Sequence, residues 1–204
     1  MSLLRLRVKQ VIDITRARGP TAAGKEVIQY LSREPKSHIE TLRERGNLTV
    51  AEIGVFKGDN AKFLLETLDI DQIYLIDPYE QYREGGSLRT GAERISEVRQ
   101  IAHENLDGYD EVTWIEAGSD DAVAEIDAAL DYVYVDGNHD YEYAKTDIEN
   151  YYPRLAEDGI IAGDDLSKAG VARAFVEFAT ENNLRPHVET AYPEWYFVRG
   201  DEIG

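Results

Sequence analysis

The sequence predicts an α/β protein, a three-layer αβα sandwich around a mostly parallel seven-stranded sheet, and three observations predict it. From residue 48 onward short apolar runs alternate with helix-length amphipathic stretches. The tail, RPHVETAYPEWYFVRG, instead holds two strand-like runs about a turn at Tyr192-Pro193. A chain of 204 residues fits one domain of ordinary size, able to bury about 70% of the surface its unfolded form exposes.

Residues 1–47 read as an N-terminal helical extension. LLRLRVKQVIDI carries apolar residues at helical spacing, GPTAAGKEVIQYLSRE restarts after Pro20, and SHIETLRERG follows Pro35 and stops at Gly46. Residues 48–204 form the main domain. Its strands are expected in LTVAEI, QIYLID, EVTWIEA, DYVYVD and GIIAGD. Its helices are expected in DNAKFLLETL, GAERISEVRQIAHENL, YEYAKTDIENYYPRL and AGVARAFVEFATENN. Alternating strands and helices imply a parallel sheet covered on both faces. The tail then adds an antiparallel hairpin at one sheet edge.

One motif is set aside. Gly19 to Lys25, GPTAAGK, has the spacing of a phosphate-binding P-loop, but Glu26 stands where that loop needs Ser or Thr to hold Mg²⁺. A carboxylate there repels phosphate, so the segment reads as a loop between two helices.

Composition excludes several function classes. There is no cysteine, hence no disulfide, thiolate metal site or cysteine nucleophile. A net charge of −18, with no basic cluster to reverse it, repels nucleic-acid phosphates and anionic lipid, so neither nucleic acid nor membrane is expected as a partner. No apolar run approaches the roughly 18 residues of a membrane span, and the N-terminus is unlike a signal peptide, so a cytoplasmic protein is expected. Acidic residues are spread along the whole chain, and Arg outnumbers Lys 15 to 7. A surface adapted to a high-salt interior explains this; so does an ordinary acidic protein.

VAEIGVFKGDN, residues 50–60, is a strand running through a glycine turn into a helix. Gly54 permits backbone torsions closed to other residues, and Gly58 lets the helix start approach strand and ligand. Phe56 occupies the place of the middle glycine that a pyrophosphate needs, which argues against NAD and FAD. Glu52, before the turn, repels pyrophosphate and attracts a cationic amine. About 20 residues on, QIYLIDPY brings Asp77 to a strand end, where an acid can accept ribose hydroxyls. Ribose without pyrophosphate points to an adenosine ligand.

The E-x-G-x-x-x-G turn, Asp77, AGSDDA after the third strand and DYVYVDGNHDYEYAKTDIENYYPRLAEDGIIAGDD together resemble the class I S-adenosylmethionine methyltransferases. More closely, they are similar to the metal-dependent, macrocin-type O-methyltransferases, over residues 48–200. The resemblance implies a Rossmann-like fold and S-adenosyl-L-methionine as cofactor. It implies Glu52, Gly54 and Gly58 at the methionine part, Asp77 at the ribose, and Gly118 and Ser119 beside the adenine. Phe56, Tyr79 and Asp136 are counted with them around the cofactor. Ser119 also reads as the cap of the helix DDAVAEI.

Asp136 ends one strand, and Asp164 and Asp165 end the next. If those strands are neighbours, as the family's sheet order has it, their ends lie about 4.8 Å apart and three carboxylates converge. Such a cluster calls for a cation, and oxygen ligands favour Mg²⁺, with Mn²⁺ or Ca²⁺ as alternatives. The resemblance implies a metal on Asp136, Asp164 and Asp165, with His139 as base. Individually, a turn, a helix cap or a solvated His explains the same residues. Residues 79–91 have the composition of a lid, in which Tyr79, Tyr82, Arg83 and Arg89 meet an acceptor or simply face solvent. Tyr141 and Tyr143 line the pocket or pack their helix. The expected activity is O-methylation of a small-molecule acceptor, a sugar or phenol, by a homo-oligomer. The alternatives are a metal-independent transferase using an adenosyl-sulfonium donor and a non-catalytic scaffold of the same fold.

Overall fold

Strand LTVAEI is apolar on both faces because it runs through the middle of a sheet. In the computed structural model, which describes residues 36–88, 91–189 and 193–204, five of its six residues are buried. The first two expected N-terminal helices, the Gly19–Lys25 loop, Arg89 and Tyr192 lie outside the described residues.

In chain order the described elements are α1 (Ser37–Arg43), β1 (Leu48–Ile53), α2 (Asp59–Thr67), β2 (Ile70–Ile76), β3 (Arg83–Glu84), β4 (Ser87–Leu88) and α3 (Ala92–Asn105). There follow β5 (Val112–Ile115), α4 (Ser119–Ala122) and its 3-10 turn, β6 (Leu130–Val135), α5 (Tyr141–Tyr151), β7 (Leu155–Gly163), α6 (Ala169–Glu181), β8 (His187–Val188) and β9 (Trp195–Val198). The main sheet has seven strands in the order β5-β2-β1-β6-β7-β9-β8. β5, β2, β1, β6 and β7 run parallel; β9 is antiparallel to β7 and to β8. The fold class expected from sequence is the one observed.

The core has two halves because successive side chains on a strand point to opposite faces. Ala51, Ile53, Val133, Val135 and Ile161 pack with Ile148, Tyr151, Phe175 and Phe178 of α5 and α6. Val50, Tyr132, Tyr134 and Ile160 pack on the other face with Ile39, Leu42 and Leu64 of α1 and α2. Consecutive strands diverge at β1, which has β2 on one side and β6 on the other. That point, at the carboxyl ends of the strands, is where open α/β sheets take ligands.

Two local expectations change. The strands stop one residue short of Asp77, Asp136 and Asp164, so these acids are the first residues of loops and can turn their side chains to backbone N–H groups. Residues 83–88 are a hairpin, β3 paired antiparallel with β4 about Gly85 and Gly86. Both glycines have positive φ, +56° and +78°, as a primed two-residue turn requires.

Candidate active site

The first wall of the site is the turn after β1. Gly54 has φ +85°, and a Cβ there would stand 2.1 Å from the Asp136 carbonyl oxygen, so the turn passes against β6 only because it has no side chain. Asp77 shapes this turn. Its Oδ2 accepts the N–H groups of Val55 (3.1 Å) and Phe56 (3.0 Å), and its Oδ1 accepts that of Tyr79 (2.8 Å). These bonds stabilise the carboxylate, but burial outweighs them and raises its pKa. The acid expected to meet ribose is therefore already bound to three backbone donors. Tyr79 donates its hydroxyl to the Phe56 carbonyl at 3.1 Å and closes the same turn.

Glu52 lies beneath the turn, 1% exposed, with Oε2 buried and unpartnered. Burial pushes its pKa up to about 8, against the Asn60 amide and with added repulsion from Asp136. A buried acid at this position is a place for a cation. On the other side Ser119 does not cap its helix: its hydroxyl donates to Asp147, and Tyr151 donates its hydroxyl to the Ser119 carbonyl at 2.9 Å. Asp147, 3% exposed and with its pKa raised by burial to about 6, holds the Gly118–Ser119 loop and was not singled out by sequence.

The second wall lies between β6 and β7, which are neighbours in register, Val135 opposite Gly163. His139 Nε2 faces Asp165 Oδ2 at 3.2 Å and Asp136 Oδ1 at 3.5 Å, without the alignment of a hydrogen bond to either. Its Nδ1 lies 2.8 Å from Oε1 of Glu84, which sequence reasoning passed over. The neighbouring Asp136 carboxylate, seconded by Glu84 and Asp165, holds a proton on the ring against the effect of burial and raises the pKa to about 9. Burial raises the pKa of Asp136.

Of the three carboxylates expected around a metal, Asp136 and Asp165 share one focus. Asp164 binds its own loop: its Oδ1 accepts the N–H of Asp165 at 2.6 Å, and its charge adds to the rise in the Asp136 pKa. Among the described residues no three His, Asp or Glu side chains form a complete ligand set. The two converging carboxylates suit a hard cation in charge and donor atom.

Residues offered for the acceptor divide. Tyr141 packs α5 on α6, its hydroxyl bound to Glu177 and its ring under Arg173 at 3.9 Å, whereas Tyr143 faces solvent. Behind the site Glu194 is buried, accepting the Tyr134 hydroxyl at 2.9 Å and pairing with Lys36 at 2.5 Å.

A sheet of this order, with a glycine turn over a buried acid at its switch point, has the architecture of the class I S-adenosylmethionine-dependent methyltransferases. Residues 51–166, over half of the chain, match the family described as a methyltransferase domain, and the chain belongs to that family of enzymes. It is similar in fold to the O-methyltransferase NovP, with 19% identity, 79% of each chain covered and a TM-score of 0.58. It is similar to the calicheamicin methyltransferase CalS11, with 15% identity, 98% of this chain and 95% of that one covered and a TM-score of 0.61. Spermidine synthase from Thermotoga maritima shares the fold at 15% identity, with 81% of this chain and 58% of that one covered and a TM-score of 0.54. A curated relative, the uncharacterized protein R132 of Acanthamoeba polyphaga mimivirus, is 24% identical over 123 residues, 60% of this chain. The chain spans about half the length of that relative, 53%. Among the described residues no helix is long and apolar enough to cross a membrane.

Proposed function

We propose that this enzyme transfers the methyl group of S-adenosylmethionine to a hydroxyl of a small molecule, a sugar or a phenol, with His139 receiving the hydroxyl proton. The observation that carries the reading is His139 itself, gripped at Nδ1 and presenting Nε2 to Asp136 and Asp165 beside the Gly54 turn. A sugar is favoured by likeness to CalS11, described as a TDP-rhamnose 3'-O-methyltransferase.

In this reading Glu52, Gly54, Phe56, Gly58, Asp77, Tyr79, Gly118, Ser119 and Asp136 surround the cofactor, with Glu52 toward its ammonium group. Transfer is an in-line displacement. The acceptor oxygen forms the new C–O bond as the S–C bond breaks, its electrons returning to sulfur, and alignment supplies much of the rate. His139 must first be neutral, and the carboxylates that hold its proton oppose this. A divalent cation, Mg²⁺ or else Mn²⁺ or Ca²⁺, on Asp136, Asp164 and Asp165 would offset that charge and lower the pKa of a bound hydroxyl.

A second reading, a transferase that uses no metal, is favoured by the lack of a complete three-residue ligand set among the described residues. Release of S-adenosylhomocysteine is measured with a panel of sugar nucleotides and catechols, in Mg²⁺ and in EDTA. Methylation of a hydroxyl that stops in EDTA supports the first reading; a full rate in EDTA replaces it with the second.

A further inference from the structure

We propose that Glu84, delivered by the 83–88 hairpin, is the positioning residue of His139, so that docking of the hairpin and assembly of the proton acceptor are one event. The inference rests on His139 being that acceptor. The hairpin is otherwise a solvent-facing structure: Arg83, Ser87 and Leu88 are exposed. The Glu84 side chain is only 10% exposed, because it points into the site and meets an imidazole that is itself 16% exposed.

Among the described residues, contacts from Arg83, Glu84 and Gly85 join the hairpin to the loop that carries the base. The Asn138 amide donates to the Arg83 carbonyl at 2.9 Å. The Gly85 N–H donates to both oxygens of Asp140, at 2.9 and 3.0 Å. Glu84 takes Nδ1 of His139 between them. Asp140 is in turn fixed by its own N–H to the Asn138 side chain at 3.0 Å. An acceptor on Nδ1 does two things to a histidine. It keeps the proton on that nitrogen, so that Nε2 is the one that exchanges, and it prevents the ring from rotating its nitrogens away. A solvent-exposed ion pair would contribute little, but this pair is largely covered on both sides.

The chain has four histidines, so the imidazole signals of ¹⁵N-histidine-labelled full-length protein are few enough to assign. The His139 Nδ1–H resonance, identified by its loss in His139→Ala, is expected to be slow to exchange in wild type, retained in Glu84→Gln and broadened by solvent exchange in Glu84→Ala. In turnover with an acceptor from the panel, Glu84→Ala is expected to lose about 10- to 100-fold in kcat, the usual worth of a group that orients a site residue, with KM values within about threefold. Glu84→Gln, whose amide oxygen still accepts from Nδ1–H, is expected within about fivefold of wild type. Added to His139→Ala, Glu84→Ala should remove nothing more.

A resonance indifferent to Glu84→Ala overturns the inference. So does an unimpaired Glu84→Ala enzyme when His139→Ala is impaired, or a further loss in the double variant. A wild-type rate in His139→Ala is a different failure: it removes the proton-acceptor reading and leaves the Glu84–His139 contact standing.

Discussion

Glu52 is the residue whose chemistry is set most completely by burial. With its pKa near 8 it is largely protonated at neutral pH, and a cationic amine brought against it makes the carboxylate the stable form. Binding of S-adenosylhomocysteine is therefore expected to release protons near pH 7, measured as binding heats that vary with buffer ionisation enthalpy. Glu52→Gln should abolish that dependence and weaken binding about tenfold or more, the worth of a charge-assisted hydrogen bond. Identical heats across buffers in wild type would contradict it. Asp77 illustrates the limit of reading residues in isolation. Its type and spacing marked it as a ligand-facing acid, but which donors a carboxylate meets depends on where the next turn lies. In the fold it takes the N–H groups of Val55, Phe56 and Tyr79. Ser119 and Asp164 likewise meet protein partners, the Asp147 carboxylate and the Asp165 N–H.

Elements were legible where many residues repeat a pattern. The parallel strands show as apolar runs because both faces are covered, and the glycine turn shows because only glycine fits at Gly54. Gly54→Ala should therefore separate β1 from β6 and eliminate cofactor binding, with a lowered melting temperature as the control. The 83–88 hairpin was not legible as strands, since two-residue strands carry no periodicity; Gly85-Gly86 was its signal. Helix α1 is seated by His38, which stacks on Tyr132 and lies 3.2 Å from Glu189. Burial first, then the charge of Lys36, lower its pKa to about 4 from 6.5. The unfolded chain thus takes up a proton before the folded one does. The stability is complete above about pH 6.5 and is lost as pH falls toward 4. Between about pH 7 and pH 5 wild type should lose about 2 kcal/mol more than His38→Gln, read from urea unfolding. Equal losses would contradict this.

The whole molecule carries a net charge of −18, and the mutual repulsion of its acidic groups is a long-range force that salt removes. Melting temperature should rise as KCl goes from about 0.1 to about 2 M, since the screening length falls to about 3 Å at 1 M. A flat or falling melting temperature would count against a high-salt adaptation. The main sheet brings the carboxyl ends of β1, β2, β6 and β7 to one edge, which is why residues spread from Glu52 to Asp165 form one site. Hydroxyl methylation with His139 as proton acceptor is tested most directly by the rate of S-adenosylhomocysteine formation in His139→Ala against wild type, at saturating acceptor. The expected result is a loss of about 10²- to 10⁴-fold with S-adenosylhomocysteine affinity within a few-fold of wild type; a folded His139→Ala enzyme turning over at the wild-type rate would contradict it.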